Sequence, residues 1–216
     1  MTPSRHPDPS LLTAVATGAL TPAVTRIVTA HAALCAHCRA LMHNVEAVAG
    51  VALDDEASAD LAPDALDRAL SHLGPQEAPA RLPDMLAELP DAVSEIVAPS
   101  LGGSWYSGGA GLKILDLTLP ATAAGETFQL FRIEPGSGPP KHTHGGQEFT
   151  LVLTGAFKDE TGLYRAGDIA IGDASVTHRP IAEPGEVCFA LAVTTAPLKF
   201  KGPLGLLQRV LNLGRK

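Results

Sequence analysis

Aromatic side chains are scarce in this sequence, at 4%. A core must therefore be packed mainly from Ala, Leu and Val. Positive charge is also short: the formal net charge is −7. That leaves no basic patch for a phosphate backbone and argues against direct DNA binding. No apolar run reaches the ~18 residues that a transmembrane helix needs. The start, Met1-Thr2-Pro3-Ser4-Arg5-His6-Pro7, lacks the apolar stretch of a signal peptide. A cytoplasmic location is the expectation. Only three cysteines occur, and in that compartment they stay reduced rather than paired.

The 216 residues are 45% hydrophobic, with 18 Pro and 21 Gly, enough for a core but rich in turns. Residues 1–73 read as four helices. Asp8-Pro9-Ser10 and Thr21-Pro22 are start signals, and Gly18 is a stop. Ile27, His31, Leu34, Cys35, Cys38 and Met42 follow one face of the second helix. Residues 43–56 extend it or form a third, and Ala62-Pro63-Asp64 opens a fourth that runs to about Leu73. Residues 74–90 hold Pro75, Pro79, Pro83 and Pro90 and read as a linker, with few contacts crossing it. A second domain covers 91–203, with short strands expected at Lys113–Leu119, Thr127–Ile133, Glu148–Leu153, Ile169–Ile171 and Val187–Thr194. Residues 204–216 form a tail, with a short helix over Leu204–Leu213. The class is α+β in two domains: a four-helix domain, then an antiparallel β-barrel.

Each domain carries a candidate metal site. A helix turns about 100° per residue, so from His31 the side chains of Cys35 and Cys38 lie at about 40° and −20°, on one side. His37 and His43 point away and read as surface residues. A fourth donor must come from elsewhere, and His6 is the best placed. Such a Cys2His2 group suits structural zinc that clips helices together. A redox Cys-x-x-Cys pair, or a plain buried core, are the other readings. Cys188, in an apolar run, reads as a buried strand residue.

The second group is His142-x-His144-x3-Glu148, joined by His178. Residues two apart on a strand share a face, so His142 and His144 project into one cavity. Imidazole with carboxylate suits zinc, iron, manganese or nickel.

The stretch Gly136-x5-His142-x-His144-x3-Glu148-x6-Gly155 resembles the first cupin motif without a gap. Gly167-Asp168 and His178 take their places in the second motif. Asp173, Ser175 and Ala182 depart from it, which puts its tight turn in question. The resemblance implies a jelly-roll barrel with one metal on His142, His144, Glu148 and His178. The N-terminal pattern resembles the zinc-binding anti-sigma factors, and by residue puts zinc on His6, His31, Cys35 and Cys38. Taken together, helical zinc domain, linker and cupin resemble the ChrR-like anti-sigma factors. That implies a negative regulator that sequesters an extracytoplasmic-function (ECF) sigma factor. It also implies that the cupin domain, holding a second divalent metal, zinc, is the sensor that triggers release under oxidative stress such as singlet oxygen. The alternative is a metal-dependent cupin dioxygenase with a helical accessory domain, since an open coordination position is what such catalysis needs. A purely structural metal protein would explain the first site but not the second.

Overall fold

The computed structural model describes residues 2–54, 56–73, 104–119 and 123–201. The linker at 74–90 and the helix at Leu204–Leu213 lie outside them.

Among the described residues four helices come first: α1 (Pro9–Ala16), α2 (Pro22–Leu34), α3 (Ala36–Asp54) and α4 (Ala65–Ser71). The start signals act as read. The Asp8 side chain accepts the N–H of Ser10, and that of Thr21 accepts the N–H of Val24. Each cap satisfies a helix N–H that has no partner within the helix. Gly18, at φ 68°, follows α1 in the left-handed region that ends helices.

One expectation is corrected here. His31, Cys35 and Cys38 do not share a helix. α2 ends at Leu34, and Cys35 is extended at φ −118°, ψ 104°. α3 then starts at Ala36, well before residue 43. The elbow frees the last carbonyls of α2, and the Arg39 guanidinium donates to those of Ala32 and Ala33 at 3.2 and 3.1 Å. With this break Cys35 Sγ and Cys38 Sγ come to 3.4 and 3.5 Å from His6 Nδ1.

Twelve strands follow among the described residues. β1 (Tyr106–Gly109), β2 (Leu112–Asp116), β3 (Thr127–Ile133), β11 (Cys188–Thr194), β5 (Glu148–Thr154) and β8 (Ile169–Gly172) form one six-stranded sheet in that order. β10 (Ile181–Ala182), β6 (Ala156–Asp159) and β7 (Gly162–Arg165) form a second sheet. β12 (Leu198–Phe200), β4 (His142–His144) and β9 (Thr177–His178) form a third. All strand pairs are antiparallel.

The central strand β11 is buried along its whole length. Side chains alternate across a strand. Phe189, Leu191 and Val193 belong to a cluster that also holds Leu12, Val24, Ile27 and Val28 of the helices. Cys188 belongs instead to a cluster with Val152, Phe157 and Tyr164. The large sheet is therefore apolar on both faces, one toward the barrel and one toward the helices. The expectation that few contacts join the two parts does not match this shared core. Each buried Val or Ile of α2 contributes about 1.5–3 kcal/mol of hydrophobic burial to it. No described helix is long and apolar enough to cross a membrane.

Candidate metal centres

His6, His31, Cys35 and Cys38 converge, with one donor atom from each inside a 4.8 Å circle of mutual distances. The elbow between α2 and α3 supplies the sulfurs. Cys35 Sγ and Cys38 Sγ lie 3.4 and 3.5 Å from His6 Nδ1, and His31 Nε2 lies 3.3 Å from Cys38 Sγ. Bond lengths of about 2.0–2.3 Å to a tetrahedral zinc imply donor separations of roughly 3.3–3.8 Å. The four residues fit such an ion. Burial, with Cys35 close by, pushes the Cys38 thiol up to about 12. Thiolate at this place therefore needs a cation to neutralise it. His6 is held from both sides in sequence by buried Pro3 and Pro7. His37 lies edge-on to His6, with ring centroids 5.5 Å apart, but stays outside the donor group.

His142, His144, Glu148 and His178 form the second group, and all four are between 1% and 7% exposed. β4 presents His142 and His144, β5 opens with Glu148, and β9 sets His178 opposite His142 in register. Each ring spends Nδ1 outward. His142 donates to the Pro140 carbonyl at 2.8 Å, His144 to that of Asp173 at 2.9 Å, and His178 to the Asp159 carboxylate at 2.7 Å. Three Nε2 atoms are thus left facing inward. They lie 3.8, 3.1 and 3.4 Å from the Glu148 oxygens, in the order His142, His144, His178. His142 Nε2 and His178 Nε2 are 3.0 Å apart.

Charge in this centre favours a cation. Burial works against ionised Glu148, but hydrogen bonds from the three imidazoles outweigh it and hold its carboxyl well below the usual range. Burial also opposes a proton on His178, yet Asp159 and Glu148 outweigh it and lift the ring to about 9. His144 moves up in the same way through Glu148 and the Asp173 carbonyl. Protons on the rings or one shared metal ion would satisfy this field, and the convergence of Nε2 atoms suits the ion.

The departures from the cupin pattern leave the turn intact. Asp173 accepts the N–H of Ser175 at 2.8 Å, and the Asp173 carbonyl accepts that of Val176 at 3.0 Å. This Asx turn closes the loop at Asp173 and Ser175, two of the positions that depart from the motif. Cys188 is fully buried on β11, and burial raises its thiol to about 12.

A family model described as the ChrR cupin-like domain matches residues 94–198. The anti-sigma-E factor ChrR of Cereibacter sphaeroides is 38% identical over 204 residues, which is 93% of this chain and 93% of ChrR. The chain belongs to the ChrR family of anti-sigma factors. The crystal structure of Rhodobacter sphaeroides SigE in complex with the anti-sigma ChrR agrees with a TM-score of 0.69 at 34% identity, covering 89% of this chain and 99% of that one.

Within this ChrR-family fold, two carboxylates matter that sequence reasoning missed. Asp168 was seen only as a motif position, and Asp159 not at all. No spacing rule flags Asp159, because its partner His178 is 19 residues away. Carboxylates that orient metal-binding imidazoles typically set affinity by about 10–100-fold. Asp159→Asn should therefore weaken metal binding at the barrel site at least about tenfold. Competition against a graded chelator would measure it, and unchanged affinity would remove Asp159 from this role.

Proposed function

We propose that the chain is an anti-sigma factor that sequesters an ECF sigma factor. In this reading zinc sits on His6, His31, Cys35 and Cys38. A second divalent metal, zinc, sits on His142, His144, Glu148 and His178. The cupin domain acts as the sensor, and oxidants such as singlet oxygen trigger release. In this reading the chain works in the cytoplasm.

The carrying observation is the apolar surface of the helical part. Val48, Val51 and Leu53 of α3 are 65–73% exposed, and Leu66 and Leu70 of α4 are 67% and 52% exposed. α4 buries no residue of its own. Beside these, Pro9, Leu12, Leu41, Val45 and Val48 line a groove of about 340 Å³. A concentration of large exposed apolar side chains on two helices supports a protein-binding role for them. Leu66 and Leu70 are four residues apart on α4 and so lie on one side of it.

Co-expression with the ECF sigma factor of the same organism tests the proposal. A one-to-one complex that cannot support transcription by core polymerase is expected. The paired change Leu66→Asp, Leu70→Asp should leave the fold intact, because exposed sites shift stability by only about 0.5 kcal/mol each. It should weaken sigma binding by about 30-fold or more, since losing even one central apolar anchor costs about 2 kcal/mol. Unchanged affinity in a titration would place the binding face elsewhere.

The dioxygenase alternative needs a substrate beside the metal. Donors as buried as these leave little approach, and the family is regulatory. Turnover of a 1,3-diketone or flavonol with oxygen would reverse that preference.

A further inference from the structure

Both histidines of the N-terminal group lean on one turn of the barrel. His31 Nδ1 is 2.8 Å from the Gly167 carbonyl. A carbonyl only accepts, so the ring donates from Nδ1 and keeps the Nε2 lone pair facing Cys38. The next residue, Asp168, is 1% exposed. Its Oδ1 accepts the N–H groups of Ser4 and Arg5 at 2.6 and 3.0 Å, the two residues just before His6. The Ser4 hydroxyl donates to the same carboxylate, and the Arg165 N–H donates to Oδ2 at 2.9 Å. The segment is fixed further. The Arg5 carbonyl accepts the N–H of Ile169, and its guanidinium lies 4.9 Å from the centre of the Tyr164 ring. Gly167 has φ 91°, and a Cβ there would come within 2.7 Å of Pro3.

From that turn β8 runs to the other site. It covers Ile169–Gly172, and the next residue is Asp173, whose carbonyl accepts from His144 Nδ1. Gly172 packs on the same ring: a Cβ would lie 3.1 Å from His144 Cε1. β8 is paired along its length with β5, where Gly172 sits opposite Glu148. One four-residue strand, about 13 Å long, therefore supports imidazoles of both groups.

We infer that the Gly167–Asp168 turn and β8 are a common support for the two metal sites, through which occupancy of the barrel site tightens the N-terminal one. This rests on the metal assignments proposed above and gives the barrel a route to the sigma-binding helices. The physical basis is positional. Metal sites hold their donor distances to about 0.2 Å; His31 is hydrogen-bonded to this turn, and His6 directly follows the two residues whose N–H groups are. When His144 is not held, the Asp173 carbonyl loses its fixed donor and the far end of β8 is less constrained. Coupling of this kind is reciprocal. Lying between two sites does not by itself demonstrate it, so a cycle of variants is the proper test.

Cobalt replaces zinc in the full-length protein for that test. Absorption from thiolate to cobalt reports Cys35 and Cys38 alone, because the barrel group contains no sulfur. The readout is the rate at which this band is lost to excess chelator, with total metal content measured alongside. Asp168→Asn exchanges one acceptor oxygen for an amide that faces N–H donors. It should speed the loss about tenfold while the barrel metal stays bound. His142→Ala with His144→Ala should also speed it about tenfold. The triple variant should be no faster than Asp168→Asn alone. If Asp168→Asn fails to fold, Arg5→Ala, which removes the guanidinium packed over Tyr164 and beside Gly162 but keeps the backbone hydrogen bonds, should give a smaller acceleration of about threefold. A wild-type rate in the Asp168 or Arg5 variant overturns the positioning role. A triple variant with the full product, about hundredfold, overturns the coupling. If the cycle is sub-additive but oxidants release no sigma factor from the wild type, the coupling stands and the sensory reading falls.

Discussion

Replacing Cys35 and Cys38 together by Ser should yield a protein with one metal ion fewer per chain and no measurable sigma binding. The sulfurs sit at the elbow between α2 and α3, where Cys35 interrupts what would otherwise be one helix. They meet His6, from the segment before α1, and His31, from α2. A metal there ties three chain segments at one point. α1 has 8 residues, too few to hold a helix on its own. Structural zinc in small peptides contributes about 10–16 kcal/mol, comparable to the stability of a whole domain. Serine keeps the size but is a poor zinc ligand. Without the ion the apolar face of α3 and α4 loses its presentation. Metal analysis and a sigma pull-down read both effects. Full metal content in the variant would contradict the site. Metal loss with intact sigma binding would show that the clip is not needed for the interface.

His142→Ala with His144→Ala should have the opposite pattern. The barrel metal should be lost, because two of four donors are gone. Sigma binding should persist, because a roughly tenfold weaker hold still leaves a thiolate site of that strength saturated at micromolar protein. Release should change. Under photosensitised oxidation the wild-type complex should dissociate while the variant complex stays together. The reason is that the reacting centre has been removed while the sigma-binding face has not. Direct oxidation of Cys35 and Cys38 is the competing route, since metal-bound thiolates are oxidisable. Following dissociation and N-terminal metal loss in the same sample separates the two. If the variant dissociates as fast as the wild type, with early metal loss in both, the thiolates are the sensor.

Much of this architecture was legible because its signals are local. The caps at Asp8 and Thr21 mark helix starts within a few residues. The bounds of β3, Thr127–Ile133, are those expected from the sequence. Spacing alone puts His142 and His144 on one strand face, while His178 enters through the cupin resemblance. The elbow at Cys35 was not legible. On an unbroken helix Cys35 would lie about 40° from His31, so periodicity gives no sign of a break. Strands β9 and β10 have two residues each, too short for any pattern. The apolar face of α2 reads equally well as the core of a helical bundle, and only the fold shows that a sheet covers it. Asp168 could not be tied to Ser4, 164 residues away, by any rule of spacing.

Native mass spectrometry of the chain co-expressed with its ECF sigma factor, before and after illumination with a photosensitiser, tests the proposed function most directly. The expected result is a one-to-one complex carrying two zinc ions per anti-sigma chain in the dark, and separate chains after illumination. A chain that carries no sigma factor, or a complex that survives oxidation of the wild type unchanged, would contradict it.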